Sequence, residues 1–399
     1  MAKIKLDYLI QAPVSIVFRN LSNAMALREW LCDVATIDPR PGGRIYLYWN
    51  TGYYTCGEFT RVEADKLIEF TWRCRGEPSE TCVLIQVEDK DGKTELTLEH
   101  SGLGSDDAWE KARKEILHGW ESGLRNLVYI IEAGPDLRII KKPMMGILLA
   151  QFDPKRAAEL GVPVKEGVLL GGVLDGMGAA KAGLQKDDVV VEISGIPTPT
   201  IPAMGIAMQG REAGDKVNMV FYRGSEKHSV EMELSHRPMP EVPTTGPALA
   251  ARLRSAYQEA LSGLHNALEG VLDEEASQSP SEGEWNIKET IAHLIHNERN
   301  LRSLIHQLVI GQEQVSDNFV DNLTIHNQAT VAAYLSLEAL MTALEYEISE
   351  TVELVKRLPA EFSAHKGTFW RMGQFLTQMP GHVTDHIPQI NAALAAARV

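Results

Sequence analysis

The sequence predicts a multidomain α+β protein of three modules, and three observations lead there. The chain has 399 residues, too many for one ordinary hydrophobic core. Two stretches have the chemistry of joints. One is Ala133-Gly134-Pro135, and the other is the run 235–247 with Pro238, Pro240, Pro243, Gly246 and Pro247. The hydrophobic period also changes at those joints, from mixed, to strand-like, to helical. The expected modules are residues 1–135, mixed sheet and helix; residues 136–240, mostly strand; and residues 246–399, all helix.

Composition narrows the function classes. Hydrophobic residues make up 44% and charged residues 23%, as in an ordinary folded protein. No apolar run is long enough to span a bilayer. Near the N-terminus, Asp7 and Gln11 interrupt the stretch after Lys3 and Lys5, so no signal-peptide core forms. A cytoplasmic address is the resulting expectation. The four cysteines, Cys32, Cys56, Cys74 and Cys82, lack CxxC spacing and read as reduced, structural thiols. Net charge is −15, divided as −5 for residues 1–135, zero for 136–240 and −10 for 241–399. Phosphate backbones need a cationic face, and no module has a cationic excess, which argues against nucleic acid as a partner.

In the first module, residues 4–10 read as a strand and Pro13 opens a helix through Val17 and Leu21. Strand-like runs come next at 44–49, 53–62, 67–72, 81–87 and 94–100, with Gly42-Gly43, Asp65-Lys66 and Asp91-Gly92 as the turns. A final helix over about 105–132 carries Trp109, Ile116, Trp120, Leu124, Leu127 and Ile131 along one stripe. A curved antiparallel sheet gripping one long helix would enclose an apolar cavity. With Ala12-Pro13, Trp30, Pro41-Gly42-Gly43, Gly57, Thr71-Trp72 and His118-Gly119-Trp120, the segment resembles the START-like (SRPBCC) helix-grip superfamily, and within it homologues of the heat-shock ATPase activator. The resemblance implies a helix-grip α+β domain that takes up a hydrophobic small molecule. Trp72, His118 and Trp120 are the candidate cavity residues. His118 reads either as a polar anchor in the cavity or as a helix-surface histidine.

The middle module is strand-rich, and its most informative string is AAKAGLQKDDVVVEISG, from Ala179 to Gly195. Together with Pro143-Met144-Met145-Gly146-Ile147, it resembles a PDZ domain of the HtrA-protease type. The resemblance implies a mostly-β PDZ domain whose groove accepts a protein C-terminal tail as an added strand. Met144, Met145, Gly146 and Ile147 would hold the tail's carboxylate, and Ile206 and Met208 would form the apolar pocket. A PDZ fold that only packs against its neighbours is the other reading. No Gly-x-Ser-x-Gly motif supplies a serine nucleophile.

From Gly246 the pattern is helical almost throughout: about 248–272, a second helix from Trp285-Asn286, a third over about 330–358 and a fourth over about 372–396. Four amphipathic helices with short joints predict an all-α four-helix bundle. His382 and His386, four apart, share one helix face, and His293 sits in the second helix. Three neutral imidazoles from facing helices suit a borderline divalent ion, Zn²⁺ or Ni²⁺, with one coordination position open. Pro380 and Pro388 flank the pair and predict a kink or restart there. His296 reads as a fourth ligand or as a polar residue on the helix rim, and Glu298 and Asp385 as candidate imidazole acceptors.

The WNIKETIAHLIHNE and HVTDHIPQI strings resemble the DinB/YfiT-like superfamily, matching its helix-two ligand at His293 and its closing pair at His382 and His386. The resemblance implies metal binding and homodimers in some members. Some relatives are thiol transferases or thiol-dependent isomerases, and others have no assigned reaction. Two functions are therefore expected. One is a metal-dependent transferase or hydrolase-like enzyme in stress or detoxification, with its catalytic groups beyond the metal unassigned. The other is a non-enzymatic adaptor that senses a ligand and binds a protein tail, or a chaperone cofactor.

Overall fold

Asp91 and Gly92 both sit at positive φ, +57° and +81°, and close the two-residue turn between Lys90 and Lys93. Mirror-image turns of this kind match the right-handed twist of the strands they join, which is why Asp-Gly is a hairpin signal. The structure, a computed structural model, describes residues 2–74, 77–313 and 324–398. It divides into two compact units, Met1–Asp136 together with Pro240–Val399, and Leu137–Met239.

The N-terminal part of the first unit holds β1 (Ala2–Ile10), α1 (Val14–Ser22), α2 (Ala24–Trp30), β2 (Val34–Ile37), β3 (Arg44–Tyr48), β4 (Tyr54–Glu63), β5 (Leu67–Trp72), β6 (Thr81–Lys90), β7 (Lys93–Leu103) and α3 (Glu110–Ala133). The strands form one antiparallel sheet in the order β1-β7-β6-β5-β4-β3-β2. The strand β2, which the turn signals do not announce, pairs with β3 from Val34–Tyr48 to Ile37–Ile45. The α3 stripe Ile116, Trp120, Leu124, Leu127 and Ile131 is buried against the sheet with Trp30, Phe70 and Trp72.

That interior is filled by side chains. The cleft lined by Leu21, Leu27, Trp30, Leu31, Ile45, Phe70 and Trp120 measures about 10 Å³. Trp72 and Trp120 are buried with ring centroids 5.3 Å apart, but His118 is exposed. The reason is helical period: two residues from Ile116 places a side chain on the opposite face. The histidine of the interior is His100, fully buried on β7. Trp120 Nε1 donates to His100 Nδ1 at 3.1 Å, so the ring proton sits on Nε2, 2.7 Å from Thr81 Oγ1. Thr81 in turn donates to the Trp72 carbonyl.

Burial pushes the His100 pKa down to about 4. The unfolded chain takes up this proton first as pH falls below about 6.5. The stability that neutral His100 supplies is therefore complete above that pH and lost as pH falls toward 4. The expected loss from this group between pH 7 and pH 4 is about 3 kcal/mol. Urea unfolding at both pH values should show the wild type losing that much more stability than His100→Phe. Equal pH dependence in the two proteins would contradict the assignment.

The second unit holds α4 (Leu137–Ile140), β8 (Pro143–Met144), β9 (Ile147–Ala150), α5 (Pro154–Leu160), β10 (Val168–Val173), α6 (Gly178–Lys181), β11 (Val189–Ile193), β12 (Ile196–Pro197), α7 (Ile201–Ala207), β13 (Lys216–Arg223), β14 (Glu226–Glu233) and β15 (Ser235–His236). Its main sheet runs β14-β13-β11-β10-β9, with β12 on β11, so β9 is an edge strand. Gly146, just before β9, has φ +78°, and a Cβ there would lie 2.3 Å from Met177 Cβ. Both facts require glycine. Met145, Ile147 and Met208 pack on one apolar core, Met144 is half-buried, and Ile206 is 60% exposed on α7.

The C-terminal part of the first unit is helical: α8 (Gly246–Leu268), α9 (Asp273–Ala276), α10 (Ile287–Ile310), α11 (Thr324–Ala333), α12 (Leu337–Lys356), α13 (Ala360–Ala364), α14 (Lys366–Leu376), α15 (Met379–Asp385) and α16 (Ile387–Ala397). Leu253, Tyr257, Ile291, Ile295, Leu344 and Ile390 are among its buried core. The expected third helix starts later than its periodicity implies, because Ser336 accepts from Ala339 N and caps α12 afresh. The expected fourth helix is three segments, α14 to α16, each of the last two carrying a proline in its first turn. No described helix is long and apolar enough to cross a membrane.

Candidate metal centre

Asn286 and Glu289 form a reciprocal capping box, each side chain meeting the other's backbone N–H, and this sets the start of α10. Two turns along, α10 presents His293, only 5% exposed, with the Trp285 ring 5.0 Å from it. His382 lies on α15. His386 is the junction residue, ending α15 and starting α16 at φ −84° and ψ −12°.

The prolines therefore interrupt this stretch of helix without unwinding it. Pro388 lacks the N–H that would reach back to Thr384, so the helix restarts, yet Ile390 N still donates to the His386 carbonyl at 3.0 Å. Residues 382 and 386 remain one turn apart on one face. Their rings are 4.7 Å apart, and His293 is 5.3 Å from His382 and 5.1 Å from His386. One nitrogen from each ring falls within 4.8 Å of the other two, the one such cluster among the described residues.

The protonation states suit a cation. Burial, then the neighbouring imidazoles of His386, His382 and His296, push the His293 pKa down to about 4. Burial, then His386, lowers that of His382 as well. Neutral imidazoles offer lone pairs. His293 Nδ1 is buried and has no hydrogen-bond partner, an unmet demand that a bound ion would satisfy. His382 Nε2 and His386 Nε2 face each other at 3.2 Å. Two nitrogens at ~2.05 Å from one zinc ion would subtend ~103° at that separation, near tetrahedral. The residues present fit a borderline divalent ion.

Outer partners orient the rings. Gln389 Oε1 accepts from His386 Nδ1 at 2.8 Å, which leaves the His386 Nε2 lone pair facing inward. The Asn297 amide meets His382 Nδ1 at 2.9 Å. The acceptors considered from sequence lie elsewhere. Glu298 is buried and engaged by Tyr257 (2.6 Å) and Thr351 (2.8 Å), and Asp385 is exposed. Asn297 was findable, since it comes four residues after His293 and shares its helix face. His296 packs edge-on against His326 of α11 at 4.8 Å, beside the triad.

Residues 11–132 match the family described as Activator of Hsp90 ATPase homolog 1-like protein, and residues 236–390 match the DinB superfamily. No curated protein matches the chain. Among solved structures, a protein of Mesorhizobium loti is 20% identical, with 34% of this chain and 99% of the other covered at a TM-score of 0.31. The Aha1 dimer of Colwellia psychrerythraea is 19% identical, with 34% and 98% covered and a TM-score of 0.30. An Hsp90 activator of Plasmodium falciparum is 21% identical, with 33% and 97% covered and a TM-score of 0.30. A DinB-like helical domain thus accompanies an activator-like sheet domain on one chain.

Proposed function

We propose that the helical domain holds one divalent ion, Zn²⁺ or Ni²⁺, on His293, His382 and His386, and that the site activates a thiol or water for transfer or hydrolysis. The observation that carries this reading is the convergence of three imidazoles, one with a buried and unpartnered nitrogen. A bound ion of this kind supplies Lewis acidity, drawing a thiol or water toward its anion near neutral pH.

The chain's own groups hold the protons in register. Gln389 keeps the His386 proton on Nδ1. Without a cation, one proton between the facing Nε2 atoms of His382 and His386 removes their lone-pair repulsion, and Asn297 donates to His382 Nδ1. The lone pairs of both Nε2 atoms would hold a bound cation, the His382 proton would then stand on Nδ1, and the Asn297 amide, turned by half, would accept it through its oxygen. Oxygen and nitrogen of such an amide are interchangeable in position, so the switch needs no backbone movement.

Gln389→Leu and Asn297→Leu are each expected to weaken zinc binding about 10- to 100-fold, the usual effect of removing an imidazole's outer partner. Competition against a chromophoric chelator measures it. Unchanged affinity in both variants would refute the orienting roles, and a wild type that takes up no metal would refute the site.

The middle unit supports a second role, recruitment. We read residues 137–239 as a PDZ-like module in which β9, at the sheet edge with Leu148 and Leu149 about half exposed, pairs with a protein C-terminal tail. Met144 to Ile147 would receive the tail's carboxylate, with Ile206 and Met208 beside it. In the sheet domain a hydrophobic guest enters only by displacing side chains such as Trp30, Leu31 and Trp120, since the cleft between them is about 10 Å³.

A further inference from the structure

The element that carries His293 ends against the sheet domain. Its helix, α10, stops at Gly311 in the left-handed region, φ +71°, and the Gly311 carbonyl accepts from Asn23 Nδ2 at 3.2 Å. The same Asn23 side chain caps α2, its Oδ1 accepting from Ala26 N at 3.1 Å. One amide thereby joins the end of α10 to the start of α2. Two residues on, Glu313 accepts from Arg28 of α2 at 2.6 Å.

The element that leads to His382 meets the same group. Arg371 of α14 donates to Glu313 through both terminal nitrogens, at 3.1 and 2.8 Å, and lies 3.7 Å from the buried carboxylate of Glu29 on α2. The next helix after α14 is α15, with His382. Little slack exists at this docking, because a Cβ on Gly367 would lie 2.3 Å from Ile130 Cγ2 of α3. Lys366 Nζ also donates to the Glu132 carbonyl at 2.7 Å. The Arg28 and Glu313 side chains are only 10% and 13% exposed, so their charges are held away from water and depend on each other's placement.

We propose that Asn23, Arg28, Glu313 and Arg371 form a positioning clamp through which the sheet domain sets the spacing of the imidazole triad and hence its metal affinity. The inference rests on the metal-binding reading of the triad. The helix that bears His293, α10, and the helix that precedes the His382 segment, α14, are both held against α2, whose Leu27 and Trp30, with Leu31 just beyond, line the sheet domain's cleft. Repacking of that core is thereby mechanically linked to the metal site. These are positioning residues, since none touches the imidazoles.

Cobalt(II) titration of the full-length protein, monitored by visible absorption, tests the clamp because the band shape reports ligand geometry. Glu313→Gln should weaken cobalt binding about 2- to 30-fold, the size of effect that substitutions remote from a site exert through packing, and alter the absorption envelope, with Glu313→Asp in between. Asn23→Ala, which removes one neutral hydrogen bond to α10 together with the N-cap of α2 but leaves the Arg28–Glu313–Arg371 charges in place, should weaken it less but in the same direction. Arg398→Ala, which breaks the exposed Arg398–Glu275 pair elsewhere in the helical domain, should leave affinity and spectrum unchanged. Wild-type affinity and spectrum in both Glu313→Gln and Asn23→Ala, with binding lost in His382→Ala, would overturn the clamp and leave the metal site standing. A wild type that binds no cobalt would overturn both.

Discussion

Alanine at both His382 and His386 is expected to abolish metal-linked stabilisation of the protein. A structural zinc site contributes ~10–16 kcal/mol over four ligands, so each imidazole contributes roughly 3 kcal/mol. Losing two lowers affinity by about four orders of magnitude. The wild type, with zinc at about 100 times its dissociation constant, should gain ~2.7 kcal/mol against unfolding. The double variant should gain nothing at that concentration. Its metal-free stability should not suffer in proportion, because both rings are only partly buried and alanine removes just their mutual hydrogen bond and those to Gln389 and Asn297. A zinc-dependent shift in melting temperature that survives in the double variant would place the ion elsewhere.

Trp30→Ala is expected to cost the sheet domain about 4 kcal/mol, near the upper range for truncating a buried aromatic. The side chain is 1% exposed, within the cluster formed by α2, α3 and the sheet. Two losses add. The cavity loses its dispersion contacts, and the Asn20 carbonyl loses the Trp30 Nε1 donor at 2.8 Å. Trp30→Phe separates them, since it keeps most of the volume and should cost only about 1–2 kcal/mol for the unmet carbonyl. Urea unfolding checks both. A loss under about 1 kcal/mol in the alanine variant would contradict the packing account.

Much of this architecture is legible in the sequence because its cues are local. Asp91-Gly92 marks a hairpin, and Ile116, Trp120, Leu124 and Leu127 mark one helical stripe. His382 and His386 needed only helical spacing, and their survival next to two prolines reflects proline's tolerance in a first turn. His100 was accessible to the same reasoning as its neighbours, since Leu96, Leu98 and His100 alternate inward on β7, whereas His118 lies off the stripe. The break before α12 depended on one serine cap within an otherwise continuous period. The Arg28–Glu313 contact spans 285 positions and leaves no periodic trace. Long-range ion pairs are set by the packing of finished elements, and only the folded chain displays them.

Metal binding by the imidazole triad is tested most directly by the metal content of the purified protein, measured by elemental mass spectrometry before and after chelation and re-titration with Zn²⁺ and Ni²⁺. One tightly held equivalent per chain is expected, recovered on re-titration and absent when His293 is replaced by alanine. A protein that emerges empty and takes up neither ion would contradict the assignment of a metal centre.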